Sequence, residues 1–144
     1  MANDFSSAMS HHPPHVLLVL IDGVGFGATN VFGGPIATPT LDALASAGLK
    51  YNRFHTAALT PRTRTALLTG RAAERLHGCA SLADILRLSG FMTAQFGTWA
   101  DARQHVTADI TNTAIDWLCH HESLASEAPF FMHFNPAAAD VPRQ

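Results

Sequence analysis

His15-Val16-Leu17-Leu18-Val19-Leu20-Ile21-Asp22-Gly23-Val24-Gly25-Phe26-Gly27 is the stretch on which the fold class turns. Val16 to Ile21 is a continuous aliphatic run and does not alternate with polar residues, which is the pattern of a strand covered on both faces in a parallel sheet. Pro13-Pro14 stops any helix from running into it. Gly23, Gly25 and Gly27 then supply a permissive turn. Asp22 therefore stands at the C-terminal end of a strand, the edge at which open α/β sheets meet their ligands.

Helix and strand signals alternate beyond this stretch. Thr38-Pro39-Thr40-Leu41 reads as a helix start with Thr38 as N-cap and Pro39 at the first helical position. Leu41, Leu44 and Ala45 form its apolar stripe and Gly48 its stop. A short strand is expected over 49–54, helices over 65–69 and 82–88, a strand over 92–96, a long helix over 107–124 and a last strand over 130–134. Such alternation implies an α/β fold with a mostly parallel sheet between helix layers. Residues 1–14 carry no periodic apolar pattern and read as a flexible tail ahead of a domain over 15–144.

Composition narrows the classes. A chain of 144 residues suits one domain, which buries roughly 68–70% of its unfolded surface. With 47% hydrophobic residues and a formal charge of −2, it lacks the basic excess of a nucleic-acid binder. The longest apolar run falls far short of the ~20 residues that span a bilayer, and the start Met1-Ala2-Asn3-Asp4 does not have the charged and apolar regions of a signal peptide. A cytoplasmic location without nucleic acid or membrane as partner is the expectation. Cys79 and Cys119 lack metal-ligand spacing and read as reduced, partly buried thiols.

Three residues carry candidate chemistry. The Asp22 carboxylate, beside glycines at a strand end, is placed to meet a hard divalent cation, or else caps its own turn. Thr60 precedes a helix, where N-terminal amides and a nearby metal ease the charge developing on a hydroxyl; it is a nucleophile or simply the N-cap. Arg64, one turn further on, offers a planar fork to an anion or is a solvated surface cation. His120 and His121 sit at a helix end, where they read as partners of the helix dipole.

Phe54-His55-Thr56-Ala57-Ala58-Leu59-Thr60-Pro61-Arg62-Thr63-Arg64-Thr65-Ala66-Leu67-Leu68-Thr69-Gly70-Arg71 resembles the nucleophile segment of sulfatases. That family has Cys or Ser where this chain has Thr60, Pro where it has Arg62, and Arg where it keeps Arg64. The strand and turn from His15 to Gly27 are similar to the first strand and metal-binding turn of sulfatases. Phe32-Gly33-Gly34-Pro35-Ile36-Ala37-Thr38-Pro39-Thr40-Leu41-Asp42 is similar to the loop and first helix of the arylsulfatase subgroup. Ser81 to Leu86, Gly90 to Trp99, and Ala128-Pro129-Phe130-Phe131-Met132-His133-Phe134 follow in the family's order.

The resemblance implies the N-terminal part of the alkaline phosphatase-like fold, and a truncated domain, since a sulfatase chain is several-fold longer. It implies Ca²⁺ as the metal, held weakly or not at all, because Gly23 replaces the second of two adjacent acids and further ligands come from segments beyond Gln144. No formylglycine is expected, because Thr is not converted to it. Thr98 and Ala100 stand around Trp99 where the family has Lys and His, and Asp140 where it has a later His. His77 is similar to a His that trails the nucleophile helix and is the candidate substrate contact; Arg62 has no derived role.

The expected function is that of a sulfatase-related domain, inactive by itself. The alternatives are a metal-dependent phosphoester hydrolase with Thr60 as nucleophile, and a non-catalytic binding or assembly module. A small sulfate or phosphate ester is the expected substrate if the chain is active. Self-association through an exposed sheet edge is the expected quaternary behaviour.

Overall fold

The computed structural model describes residues 13–57, 59–72, 78–97, 107–124 and 127–136, with the side chain of Thr60 outside the description. Among these residues three strands, β1 (Val16–Val19), β2 (Met92–Gly97) and β3 (Phe130–Asn135), form one sheet in the order β1-β3-β2. Both pairings are parallel, with Leu18 and Gln95 flanking His133 in register. Among the described residues four helices accompany them: α1 (Pro39–Ala47), α2 (Thr60–Thr69), α3 (Leu82–Leu88) and α4 (Thr107–Ser123), with a short 3₁₀ turn at Asn30–Phe32. The expected α/β class with a parallel sheet is the observed one.

β3 is the hydrophobic centre because it has a strand on each side and helices over both faces. Phe131 and Met132 are almost fully buried. Successive side chains point to opposite faces. On one face Phe130 meets the rings of Trp117 and His121 from α4, and Phe96 of β2 packs on Trp117 at 6.3 Å. On the other face Phe131, His133, Thr93 and Gln95 look towards α2 and α3. Gly97 holds φ of 121°, and a Cβ there would overlap the Asn135 carbonyl, so the two strand ends approach as closely as they do because the residue is glycine.

α3 matches its expected bounds, and its start is a capping box. Ser81 Oγ accepts from Asp84 N at 3.2 Å, while Asp84 accepts from Ser81 N at 3.1 Å. The Ser81 hydroxyl also donates to Asp84 Oδ2 at 2.7 Å, and this bond, the largest effect, together with the bond from Ser81 N, holds the Asp84 carboxyl below its usual range, with the nearby Arg87 guanidinium adding a smaller push.

Several expectations are corrected. Residues 49–54 form no strand, and Leu49, Tyr51 and Phe54 are exposed. The first strand is four residues long and mostly exposed, because among the described residues it has one hydrogen-bonded neighbour and little helix cover. Thr38 occupies the N-cap of α1 but makes no side-chain cap; its hydroxyl donates to Asn30 Oδ1 at 2.6 Å. α2 starts at Thr60 and not at 65, with Leu59 as N-cap in extended geometry, so Thr60 is the first helical residue and not the cap. His121 is not a solvated dipole partner: it is buried, bonds the Ala128 carbonyl at 3.1 Å and joins the ring cluster, while His120 stays exposed. Cys79 is half-buried and Cys119 exposed.

Candidate functional site

β1 delivers Asp22 to the C-terminal edge of the sheet, and the turn that follows is shaped by Gly23 at φ of 74°. The next loop is tied down by Asn30, whose Oδ1 accepts from Thr38 N at 2.8 Å and whose amide donates to Asp42 at the start of α1. α2 approaches the same edge. Thr63 Oγ1 donates to the Ala57 carbonyl at 2.7 Å at its beginning, and Gly70 in left-handed geometry closes its end through a bond to the Ala66 carbonyl. A helix fixed at both ends presents Arg64 at a defined place.

That place is against Asp22. Arg64 donates a charge-assisted hydrogen bond from Nη2 to Asp22 Oδ2, with the two side chains only 11% and 15% exposed. His133, from the middle of β3, lies within the electrostatic reach of both. Burial holds its imidazole below the ordinary range, the Arg64 guanidinium pushes the same way, and the Asp22 carboxylate acts against them. The result is a neutral ring beside a compensated ion pair at pH 7. His133 also floors a cavity of about 560 Å³ between α2, α3 and β2, into which Thr65, Thr69 and Gln95 face. Asp84 and Arg87, joined at 2.6 Å, stand on its lining.

Asp22 and Arg64 are thus brought together, 42 residues apart in sequence. Thr60 starts the helix that carries Arg64, with its side chain outside the described residues. His77, Thr98, Trp99, Ala100 and Asp140 also lie outside them. His133 was not singled out by sequence. The available signal was one histidine in the otherwise apolar run Phe130-Phe131-Met132-His133-Phe134, which indicates a buried polar group wherever both faces of the strand are covered.

The residues can be tested against a hard divalent ion. Ca²⁺ takes about 6–8 oxygen ligands. Among the described residues no group of three or more His, Cys, Asp or Glu converges on one point. Asp22 is followed by Gly23, and its carboxylate is engaged by a guanidinium. At an effective dielectric near 20, a doubly charged ion about 5 Å from that guanidinium meets a repulsion of roughly 7 kcal/mol, and Asp22 alone offers two carboxylate oxygens to an ion that needs about 6–8. The described residues do not fit the ion.

A parallel α/β sheet with a carboxylate and an arginine gathered at its C-terminal edge belongs to the class of folds that act on small ligands at that edge. Sequence comparison makes the assignment narrower. The family described as Sulfatase matches residues 14–136, and the chain belongs to that family. It is 32% identical to Arylsulfatase A of Bos taurus over 105 residues, which is 60% of this chain and 21% of that protein. It is 46% identical to N-acetylgalactosamine-6-sulfatase of Homo sapiens over 65 residues, 44% of this chain and 12% of that protein. Arylsulfatase G of Mus musculus is 34% identical over 115 residues, 67% and 22% respectively. The chain thus spans about a fifth or less of the length of these relatives.

Proposed function

We propose that this chain is a sulfatase-related domain that does not hydrolyse sulfate esters by itself. The observation that carries this reading is the commitment of Asp22 to Arg64, which occupies the carboxylate at the position of the family's metal-binding turn. Thr60 supports it independently, since a threonine at the nucleophile position has no route to the aldehyde hydrate that attacks a sulfate ester. Electrostatic stabilisation supplies most of the rate in such reactions, and removing one preorganised donor alone costs about 10²–10³ in kcat.

Aryl sulfate turnover by pure protein is expected at background, and mass spectrometry of the peptide containing Thr60 is expected to show unmodified threonine. Turnover that disappears on Thr60→Ala overturns the reading. Thr60→Cys with Arg62→Pro rebuilds the maturation sequence; conversion to formylglycine by an added maturation enzyme, with dioxygen as oxidant, is then expected with little hydrolysis. The phosphoester alternative rests on Thr60 opening α2, where helix amides stabilise a developing alkoxide. Phosphate monoester hydrolysis, dependent on added metal and lost on Thr60→Ala, selects it.

A further inference from the structure

We infer that the Arg64 guanidinium, and not a divalent metal ion, is the counter-ion of the Asp22 carboxylate in this chain. This deepens the reading of a site without sulfatase activity and rests on it only for the metal that the family leads one to expect. The two charges are joined by a direct hydrogen bond and are largely shielded from water. One carboxylate facing one guanidinium is balanced, and the neighbouring position that supplies a second acid in the family is Gly23. The third group at the site, His133, adds no charge at neutral pH.

α2 makes the arrangement durable. Its start is tied to the Ala57 carbonyl through Thr63 and its last turn is closed by Thr69, whose hydroxyl donates to the Thr65 carbonyl at 2.7 Å. Arg64 is therefore held at Asp22 by a helix that need not move. A divalent ion has to displace a preplaced cation and collect its remaining oxygens elsewhere, whereas the guanidinium needs nothing further.

The pairing has a consequence for anions. A guanidinium donating to Asp22 is a poor site for sulfate or phosphate, because the incoming anion meets the negative charge of the carboxylate beside it. Neutralising Asp22 without changing its shape removes the carboxylate charge that faces the largely buried Arg64 cation. The chain then gains an anion site that it does not have in its native form.

Thermal unfolding and isothermal titration on the full 144-residue chain test this with calcium chloride and, separately, sodium sulfate at constant ionic strength. The native chain is expected to melt at the same temperature with millimolar Ca²⁺ as with EDTA, and to show no binding heat. Asp22→Asn is expected to bind sulfate on the order of tenfold more tightly than the native chain, as a charge-assisted fork becomes available. The gain is expected to vanish in the double variant Asp22→Asn with Arg64→Gln.

Calcium stabilisation of the native chain that is lost in Asp22→Asn overturns the inference, as does an Asp22→Asn protein no more responsive to sulfate than the native one. Should Asp22→Asn fail to fold, the native chain still decides the matter by NMR. Protected Arg64 guanidinium protons that are unchanged by calcium support the pairing, and their release by calcium overturns it. All these readouts are of binding, so ester hydrolysis, if found, bears on the proposed function and leaves this test intact.

Discussion

β1 and β3 are both apolar strands in one parallel sheet, yet their surroundings are opposite. Phe131 in β3 is 2% exposed, while Leu17 in β1 is 54% exposed and Val19 46%. β3 is flanked on both sides and roofed by α4 on one face and by α2 and α3 on the other. β1 has one hydrogen-bonded neighbour, and the described helices do not cover it in the same way. Hydrophobicity tells which residues gain from leaving water; the place in the sheet tells which of them have done so. The two strands also divide the labour of the site, since β1 leads into the turn that carries the charged group and β3 supplies the buried neutral ring.

The comparison breaks most visibly under side-chain truncation. Phe131→Ala leaves a cavity and is expected to cost about 3–5 kcal/mol in urea unfolding. Leu17→Ala loses contacts that are already half-solvated, and a change under about 0.5 kcal/mol is expected there. Equal costs at the two positions mean that β1 is covered in solution by something outside the described residues.

A smaller effect tests the roof over the inner strands. Ser81→Ala removes the reciprocal cap of α3, which packs against β2, and is expected to destabilise by about 1 kcal/mol. The cost should persist in Ser81→Gly at only a few tenths of a kcal/mol, because glycine is a tolerated N-cap. Chemical denaturation of the two variants side by side checks this.

The exposed strand can be tested through association. An edge left unpaired among the described residues, with apolar side chains, is a template for another chain, and we propose that this chain self-associates through β1. Leu17→Lys is expected to change stability by less than about 0.5 kcal/mol while shifting sedimentation at micromolar concentration towards monomer. A native chain that sediments as a sharp monomer removes the premise.

The smallest effect concerns pH and belongs to β3 alone. The His133 imidazole titrates below the ordinary range in the folded chain, so the unfolded chain binds more protons just below that range. Stability contributed by the neutral ring is complete above the unfolded value near 6.5 and is lost as pH falls from there to the depressed folded value. His133→Gln is expected to flatten that part of the stability profile, measured as urea midpoints across weakly acidic pH. A slope unchanged by the substitution assigns it to other groups.

Local chemistry was readable where neighbours in sequence are also partners in space. The run over 82–88 with Ser81 and Asp84 three apart encodes its own capped helix, and the structure returns those bounds. The alternation of elements similarly implied the parallel α/β sheet, because parallel strands need crossover connections. The segments around Asp22 and Arg64 were legible as candidate chemistry through residue type and resemblance. Neither segment contains the other, so their union in one ion pair was not.

The same boundary separates the errors from the successes. Residues 49–54 have strand-like composition, but a strand exists only where another backbone hydrogen-bonds along it, and among the described residues no such pairing forms there. Thr38 has the chemistry of a cap, yet Asn30, eight residues away, offers its hydroxyl a better partner. His133 is a single polar residue in an apolar run, and its meaning depends on α2 arriving with Arg64 and on β1 arriving with Asp22. Propensity, capping and periodicity act over a few residues and are written in the chain. Burial, charge pairing and desolvation act between segments far apart in it, so they come into being only when the sheet has set those segments side by side.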